Sequence, residues 1–146
     1  RMSPFLSDFF QLYRLLWVTN VAFQEVHDSS GTTLPALLEA VNADGSDYAY
    51  IESERLGRTS SKEQYAHFYD QGTIELTAPG ATYPEPEGTN PFHRQPFIAP
   101  FAARGGTFDA VCIVIHTNPD EATEETDALT PWWSTPAGST LLSRTS

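Results

Sequence analysis

Four polar residues stand at the ends of apolar, strand-like stretches of the sequence: Glu25, Glu63, Arg94 and His116. Two carboxylates, an imidazole and a guanidinium are side chains that hold a hard cation, transfer a proton and bind an oxyanion. Taken singly, each also has a structural explanation, as a solvated carboxylate, an ion-pair partner or a hydrogen-bonded histidine. The sequence alone does not assemble them in space.

Hydrolysis of a phosphodiester is a reaction that uses all four types. It needs a metal ion to polarise oxygens, a group that moves protons, and a cation for the developing charge. One carboxylate for the metal, a histidine with a carboxylate partner, and an arginine supply these functions. We therefore take phosphodiester hydrolysis as a hypothesis.

The composition fits one globular domain with an acidic surface. The chain has 146 residues, of which 40% are hydrophobic, and this length and hydrophobic content are enough for a hydrophobic core. Its formal net charge is -11. Such a charge repels phosphate polymers unless metal ions or local basic residues intervene. Arg55, Arg58 and Lys62 form the one dense basic group.

The cysteine content excludes a small protein held together by internal disulfides, and the hydropathy excludes a membrane-spanning helix. Cys112 is the single cysteine, so no disulfide forms within the chain, and its apolar surroundings predict a small core residue. The apolar stretches are too short to span a membrane. The amino terminus lacks a basic start and a clean cleavage site, so no intact signal peptide is predicted.

The order of predicted elements indicates an α/β layered sandwich, with a helix over a mixed sheet. Leu34, Leu37, Leu38 and Val41 repeat at helical spacing, with Ser30 and Thr32 as capping oxygens. Five acids around the start of the last helix predict a solvated helix face. The predicted helices are 6–18, 34–41 and 120–129, the predicted strands are 17–23, 48–52, 63–69, 73–77, 97–103 and 108–115, and 79–91 is a proline-rich loop.

Four blocks of the sequence resemble the deoxyribonuclease I family, within the endonuclease/exonuclease/phosphatase superfamily. They are FQEVHDSSGTTLPALLEAVN (23–42), SERLGRTSSKEQYAHFY (53–69), NPFHRQPFIAPF (90–101) and FDAVCIVIHTNPDEATEETDAL (108–129). Their order and spacing match the family over residues 21–129. The second block is more specific to the deoxyribonuclease branch than the Gln-Glu-Val of the first.

The resemblance implies a partial four-layer α/β-β-α sandwich and metal-dependent endonucleolytic cleavage of DNA. By residue, it implies that Glu25 binds the metal, Mg²⁺ with Ca²⁺ or Mn²⁺ as alternatives. His116 is then the catalytic histidine, Glu63 the carboxylate that orients it, and Arg94 the arginine that contacts the phosphate. The substrate would be DNA, and the family suggests a secreted or extracellular protein.

Two departures from the family concern residues that would bind DNA. His27 stands where the family has an arginine that enters the minor groove, and Ser61 stands where it has a groove-stacking tyrosine. Both positions remain candidates for DNA or phosphate binding. The loop 83–90 corresponds to a small calcium loop that the family closes with a disulfide, and it contains no cysteine.

The resemblance covers about half of the family domain. The expected organisation is an unmatched extension at 1–20, the N-terminal half of a nuclease domain at 21–129, and an unmatched tail at 130–146. A change of reading frame at both ends would explain such termini. Because a sandwich cut in half would leave one sheet without its partner, we expect the chain alone to be a poor folder. Because the second half carries most of the metal ligands, we also expect it to be a poor nuclease.

Two other functions stay open. A superfamily phosphodiesterase or phosphatase could act on lipid or sugar phosphates, although the stretch 53–65 argues against it. A non-catalytic remnant that binds a partner would also fit the missing blocks. The sequence does not determine the oligomeric state.

Overall fold

The computed structural model describes residues 19–85 and 87–129. The predicted helix at 6–18, the first two residues of the predicted strand at 17–23, and the tail from 130 lie outside the described residues. The elements in chain order are β1 (Asn20–Val26), α1 (Thr33–Val41), a 3₁₀ turn (Asn42–Asp44), β2 (Tyr48–Glu52), β3 (Gln64–Asp70), β4 (Ile74–Leu76), β5 (Ala81–Thr82), β6 (Phe97–Ala103), β7 (Asp109–Val114) and α2 (Ala122–Leu129).

The described strands form two antiparallel sheets. In sheet one, the order is β1-β3-β2, so β3 is central. In sheet two, β6 is central and pairs with β4, β5 and β7. Every one of these pairings is antiparallel, so the expectation of a mixed sheet is wrong for the described strands. The two-residue β5 lies inside the predicted proline-rich loop, where it adds to the edge of sheet two.

The two sheets pack face to face. Tyr65 and Tyr69 point from sheet one towards Phe97 and Phe101 of sheet two, and all four are buried. Cys112 lies partly buried against the same layer, where burial raises the pKa of its thiol. The expectation that one sheet lacks its partner is therefore wrong, because both sheets are present within the described residues.

Each sheet carries a helix on its outer face. The strand period of two turns Ala66 and Phe68 of β3 away from sheet two, and there they pack against Leu34 and Leu37 of α1. On the other side, the end of α2 packs near Ile98 of β6. The layers are thus α1, sheet one, sheet two and α2, which confirms the predicted α/β-β-α sandwich.

The start of α1 is capped by Asp28, not by the predicted residues Ser30 and Thr32. The backbone N–H groups of Thr32 and Thr33 donate to Oδ2 of Asp28 at 2.8 and 2.7 Å, and the N–H of Ser30 donates to Oδ1 at 2.8 Å. The hydroxyl of Ser30 also donates to Oδ1, and this bond, followed by those from the N–H groups of Thr33 and Ser30, lowers the pKa of Asp28 well below its usual range. Capping by the side chains of Ser30 and Thr32 is wrong, since the N-cap Thr32 makes no side-chain cap bond.

No helix within 19–85 or 87–129 is long and apolar enough to cross a membrane.

A buried histidine lies between the two sheets. His67 of β3 is 1% exposed, and its Nδ1 lies 2.9 Å from Oδ1 of Asn20. Its ring packs against the rings of Phe97 and Phe101 at centroid distances of 6.1 and 5.7 Å. Burial lowers the pKa of His67 from 6.5 to about 4, because a charged imidazole loses its solvation by water in this apolar layer.

We expect this histidine to make the fold sensitive to acid. The unfolded chain binds the proton more readily than the folded one, so the stability is full above pH 6.5 and falls as the pH decreases towards 4. At pH 4.5 the loss is about 2.5 kcal/mol. Urea unfolding at pH 7 and 4.5 should show that loss in the native chain and its removal in His67→Gln, but not in His27→Gln, whose imidazole is 54% exposed. Equal pH dependence in all three proteins would contradict the assignment.

Candidate active site

The carboxylate of Glu63 is held at the entrance to β3. Residues Leu56 and Glu63 form an isolated antiparallel bridge, in which each backbone N–H donates to the other carbonyl at 2.7 and 3.0 Å. This bridge fixes the residue directly before β3 and turns its side chain inward, where it is 5% exposed. Strand β3 therefore begins at Gln64, one residue later than predicted, and Glu63 directly precedes it.

The imidazole of His116 lies between two carboxylates. Its Nδ1 is 2.8 Å from Oε2 of Glu63, within hydrogen-bond range, and its Nε2 is 3.1 Å from Oε1 of Glu25. The backbone N–H of His116 donates to the hydroxyl of Tyr65 at 2.9 Å. The ring is 26% exposed. One nitrogen thus faces the interior and the other faces the more open side of the site.

Glu25 reaches this position through an irregularity in β1. The register with β3 shifts between Phe23 and Val26, and Glu25 has a φ of 57°, unusual for a residue other than glycine. The neighbouring Gln24 donates from Nε2 to the carbonyl of Ile115 at 2.7 Å. This bond ties the bulge to the residue before His116. The carboxylate of Glu25 itself is 60% exposed and open to a ligand.

Two further nitrogen-bearing side chains, Arg94 and His27, face Glu63. A terminal nitrogen of Arg94 lies 2.5 Å from Oε1 of Glu63, and the guanidinium is 14% exposed. Nε2 of His27 lies 3.8 Å from the same oxygen, with its side chain 54% exposed. Nε of Arg94 is buried without a hydrogen-bond partner among the described residues. Glu63 is therefore the common partner of His116, Arg94 and His27.

Ser61 is the candidate that the structure leaves outside this cluster. It is exposed in the loop between Leu56 and Glu63, and no contact between its side chain and the other candidates is found in the described part of the chain. Its carbonyl instead lies 3.3 Å from where a Cβ on Gly57 would stand. With a φ of 135°, Gly57 suits this tight loop.

Sequence reasoning missed two residues that touch the loop of His116. The hydroxyl of Tyr65 accepts its backbone N–H, and a signal existed, because Tyr65 lies two residues after Glu63 and so on the same face of a strand. The carboxylate of Glu125 accepts the backbone N–H of Asn118 at 2.9 Å. Glu125 is 0% exposed, so the expectation of a solvated helix face is wrong at this position.

The residues described here offer a metal ion few ligands. Within them, no group of three or more His, Cys, Asp or Glu side chains is arranged to hold a metal. Glu25 alone presents an exposed carboxylate beside His116. That donor suits a hard cation such as Mg²⁺, which keeps several waters and often binds through one or two carboxylates plus substrate phosphate.

A solved structure shares this fold. An endonuclease/exonuclease/phosphatase from Bacteroides vulgatus superposes with a TM-score of 0.56 at 16% identity, over 91% of this chain and 52% of that one. At this identity the likeness shows the fold. No family model matches the sequence.

Curated proteins of one type match the sequence itself. Deoxyribonuclease gamma of Rattus norvegicus is 33% identical over 117 residues, which are 75% of this chain and 37% of the relative. Deoxyribonuclease-1 of Homo sapiens is 38% identical over 112 residues, 73% of this chain and 39% of the relative. Deoxyribonuclease-1-like 1 of Homo sapiens is 33% identical over 112 residues, 75% of this chain and 36% of the relative.

The resemblance to the deoxyribonuclease I family is confirmed. The chain spans less than two fifths of the length of these deoxyribonuclease I-like relatives. The relatives that match are named as deoxyribonucleases, and the solved structure as an endonuclease/exonuclease/phosphatase. The roles of the individual residues in this deoxyribonuclease I-like site remain predictions.

Removing the shared carboxylate should destabilise the protein. In Glu63→Ala, the largely buried Arg94 loses its anion, and we expect the free energy of unfolding to fall by about 3 kcal/mol or more. Glu25→Ala is the matched control, because it removes an exposed carboxylate from the same site and should change stability by less than about 0.5 kcal/mol. Urea unfolding at pH 7 measures both. Equal effects would mean that Glu63 does not hold the site together.

Proposed function

We propose that this chain contributes the histidine–glutamate centre of a metal-dependent endonuclease that hydrolyses phosphodiester bonds in DNA. The observation that carries the proposal is the position of the His116 ring, with Nδ1 2.8 Å from Glu63 and Nε2 3.1 Å from Glu25. A buried carboxylate on one ring nitrogen orients the ring and fixes the tautomer, which leaves the other nitrogen to exchange a proton with a substrate.

In this proposal each residue has one task. Glu63 holds His116, and Nε2 of His116 transfers a proton during attack of water on phosphorus, with the 3′ oxygen as leaving group. Arg94 binds the phosphate through the part of its planar guanidinium that does not face Glu63. Because Arg94 already contacts Glu63, the position of its charge is fixed before the substrate arrives, as electrostatic catalysis requires.

A divalent cation would bind at Glu25, with Mg²⁺ as the first choice and Ca²⁺ or Mn²⁺ as alternatives. When bound, it would polarise a phosphate oxygen of the substrate. Glu25 supplies one of about six oxygens that such an ion takes. For this reason we propose that the 146-residue chain alone is a poor nuclease, and that further ligands come from sequence that corresponds to the rest of the relatives.

Contact with DNA would involve two exposed side chains near the site. His27 lies at the exposed side of the cluster, and the exposed Ser61 lies on the loop before Glu63. A histidine and a serine at these positions predict weaker minor-groove contact than the family's arginine and tyrosine. The net charge of -11 opposes tight non-specific binding. The resemblance also favours a secreted or extracellular protein, which fractionation of the source cells would test.

A phosphatase or phosphodiesterase acting on lipid or sugar phosphates is the second candidate, supported by the shared superfamily fold. The two differ in substrate, so the same preparation should be assayed for nicking of supercoiled plasmid and for release of phosphate from small esters. Release of phosphate without nicking would favour the second candidate.

The catalytic test uses a chimera, so that metal ligands beyond those found in residues 19–85 and 87–129 can come from the relative. Residues 21–129 replace the matched segment of human deoxyribonuclease-1, and circular dichroism and a thermal melt establish that the chimera folds. We expect Mg²⁺-dependent plasmid nicking, reduced about 10²–10⁴-fold by His116→Ala because a general acid–base group is lost.

Two glutamate variants complete that test. Glu25→Gln should reduce nicking and weaken the dependence on Mg²⁺, whereas Glu39→Gln alters an exposed glutamate of α1 and should leave both unchanged. A folded chimera in which His116→Ala lowers nicking by less than about tenfold would contradict the role of His116.

A further inference from the structure

The loop between β7 and α2 carries His116, and buried side chains hold its backbone. Between β7 and α2 the chain has no regular secondary structure. The N–H of His116 donates to the hydroxyl of Tyr65, and the N–H of Asn118 donates to Oε1 of Glu125, both at 2.9 Å. The backbone is therefore fixed on both sides of Thr117 by groups from other elements.

Glu125 is an unusual residue for this position. It belongs to α2, whose other acids are partly or fully exposed, yet its own exposure is 0%. Burial of a carboxylate is unfavourable unless hydrogen bonds compensate it. Oε1 accepts the N–H of Asn118, whereas Oε2 is buried with no hydrogen-bond partner among the described residues. The contact with the loop is thus the single hydrogen bond described for this carboxylate.

Asn118, which is held by Glu125, makes further hydrogen bonds within the loop. Its carbonyl accepts the N–H of Glu121, and its side-chain oxygen accepts the N–H of Asp120, both at 3.0 Å. Its side-chain nitrogen lies 3.5 Å from Nδ1 of His93, at the long end of the hydrogen-bond range, and His93 directly precedes Arg94. A displacement of Asn118 would therefore disturb both the His116 loop and the segment of Arg94.

We propose that Glu125 is a positioning residue for His116, acting through the backbone of Asn118, with Tyr65 as its counterpart at the other end of the loop. The proposal rests on the function of His116 proposed above. In the proposed reaction, Nδ1 of His116 has to stay hydrogen-bonded to Glu63 while Nε2 keeps its position at the open side of the site, beside Glu25. Misplacement of a catalytic group by about 1 Å is enough to lower a rate about 10²-fold.

The test follows individual amide and ring protons by NMR in the 146-residue chain, so it does not depend on catalysis. In Glu125→Met, the amide of Asn118 should exchange with solvent at least about tenfold faster, because its acceptor is lost. The Nδ1–H signal of His116 should broaden or shift as the ring leaves Glu63. Glu124→Met is the matched control, with the same substitution at an exposed glutamate of the same helix, and it should change neither signal.

Two conservative variants separate positioning from general stability. Glu125→Gln keeps the acceptor oxygen and should restore slow exchange at Asn118. Tyr65→Phe removes the hydroxyl alone and should speed exchange at His116 while Asn118 stays protected. If Glu125→Met does not fold, Glu125→Asp replaces it, since its shorter side chain withdraws the carboxylate from Asn118, and the same acceleration is expected.

An Asn118 amide that is unprotected in the native chain, or unchanged in Glu125→Met or Glu125→Asp, would overturn the proposal. Failure of the nuclease proposal has a different signature. In that case the exchange pattern and the His116 signal would follow the variants as expected, while the folded chimera with human deoxyribonuclease-1 would not nick plasmid.

Discussion

The carboxylate of Glu63 is the group on which the site depends. It lies almost fully out of solvent, and it contacts the ring of His116, the guanidinium of Arg94 and, at longer range, the ring of His27. A carboxylate in such surroundings is stable only with charged or hydrogen-bonding partners, and those partners in turn are held by it. The same contact that stabilises the interior therefore also sets the direction in which the histidine points.

Three separate elements have to meet for this arrangement. Sheet one supplies Glu63 through the bridge before β3 and Glu25 through the bulge of β1, whereas sheet two delivers His116 at the end of β7. The site thus lies where the ends of strands from both sheets come together, and packing between the sheets fixes its geometry. The unusual backbone of Glu25 is consistent with function at that edge, since strained residues often occur at such sites.

All four layers of the sandwich are present, although the chain spans less than two fifths of the length of its relatives. Both sheets and both outer helices occur in residues 19–129, and each sheet has a central strand with neighbours on both sides. A complete four-layer order therefore does not require the whole length of a deoxyribonuclease I-like protein. The ligand set is a separate matter, because the described residues place one exposed carboxylate, Glu25, beside the catalytic candidate.

The sequence by itself determined the type and order of most described elements. Strand β2 matches its predicted range, β6 does as well, and α1 is predicted within one residue, because period-two and helical patterns directly reflect which side chains are buried. The alternation along β3 in the sequence also matches the structure, in which Tyr65 and Tyr69 face sheet two and Ala66 and Phe68 face α1. The four blocks of resemblance selected the residues that the structure brings together around Glu63.

Tertiary structure alone decided the features that depend on partners distant in sequence. The antiparallel pairing of every described strand, the presence of both sheets, and the bulge at Glu25 follow from packing between segments, which local patterns do not encode. Burial of Glu125 was missed because an acid in a helix predicts a solvated face, and only the loop that packs over it provides a donor. Capping of α1 by Asp28 is different, because its carboxylate lies only four and five residues before the N–H groups that it accepts, and helical spacing alone did not distinguish it from Ser30 and Thr32.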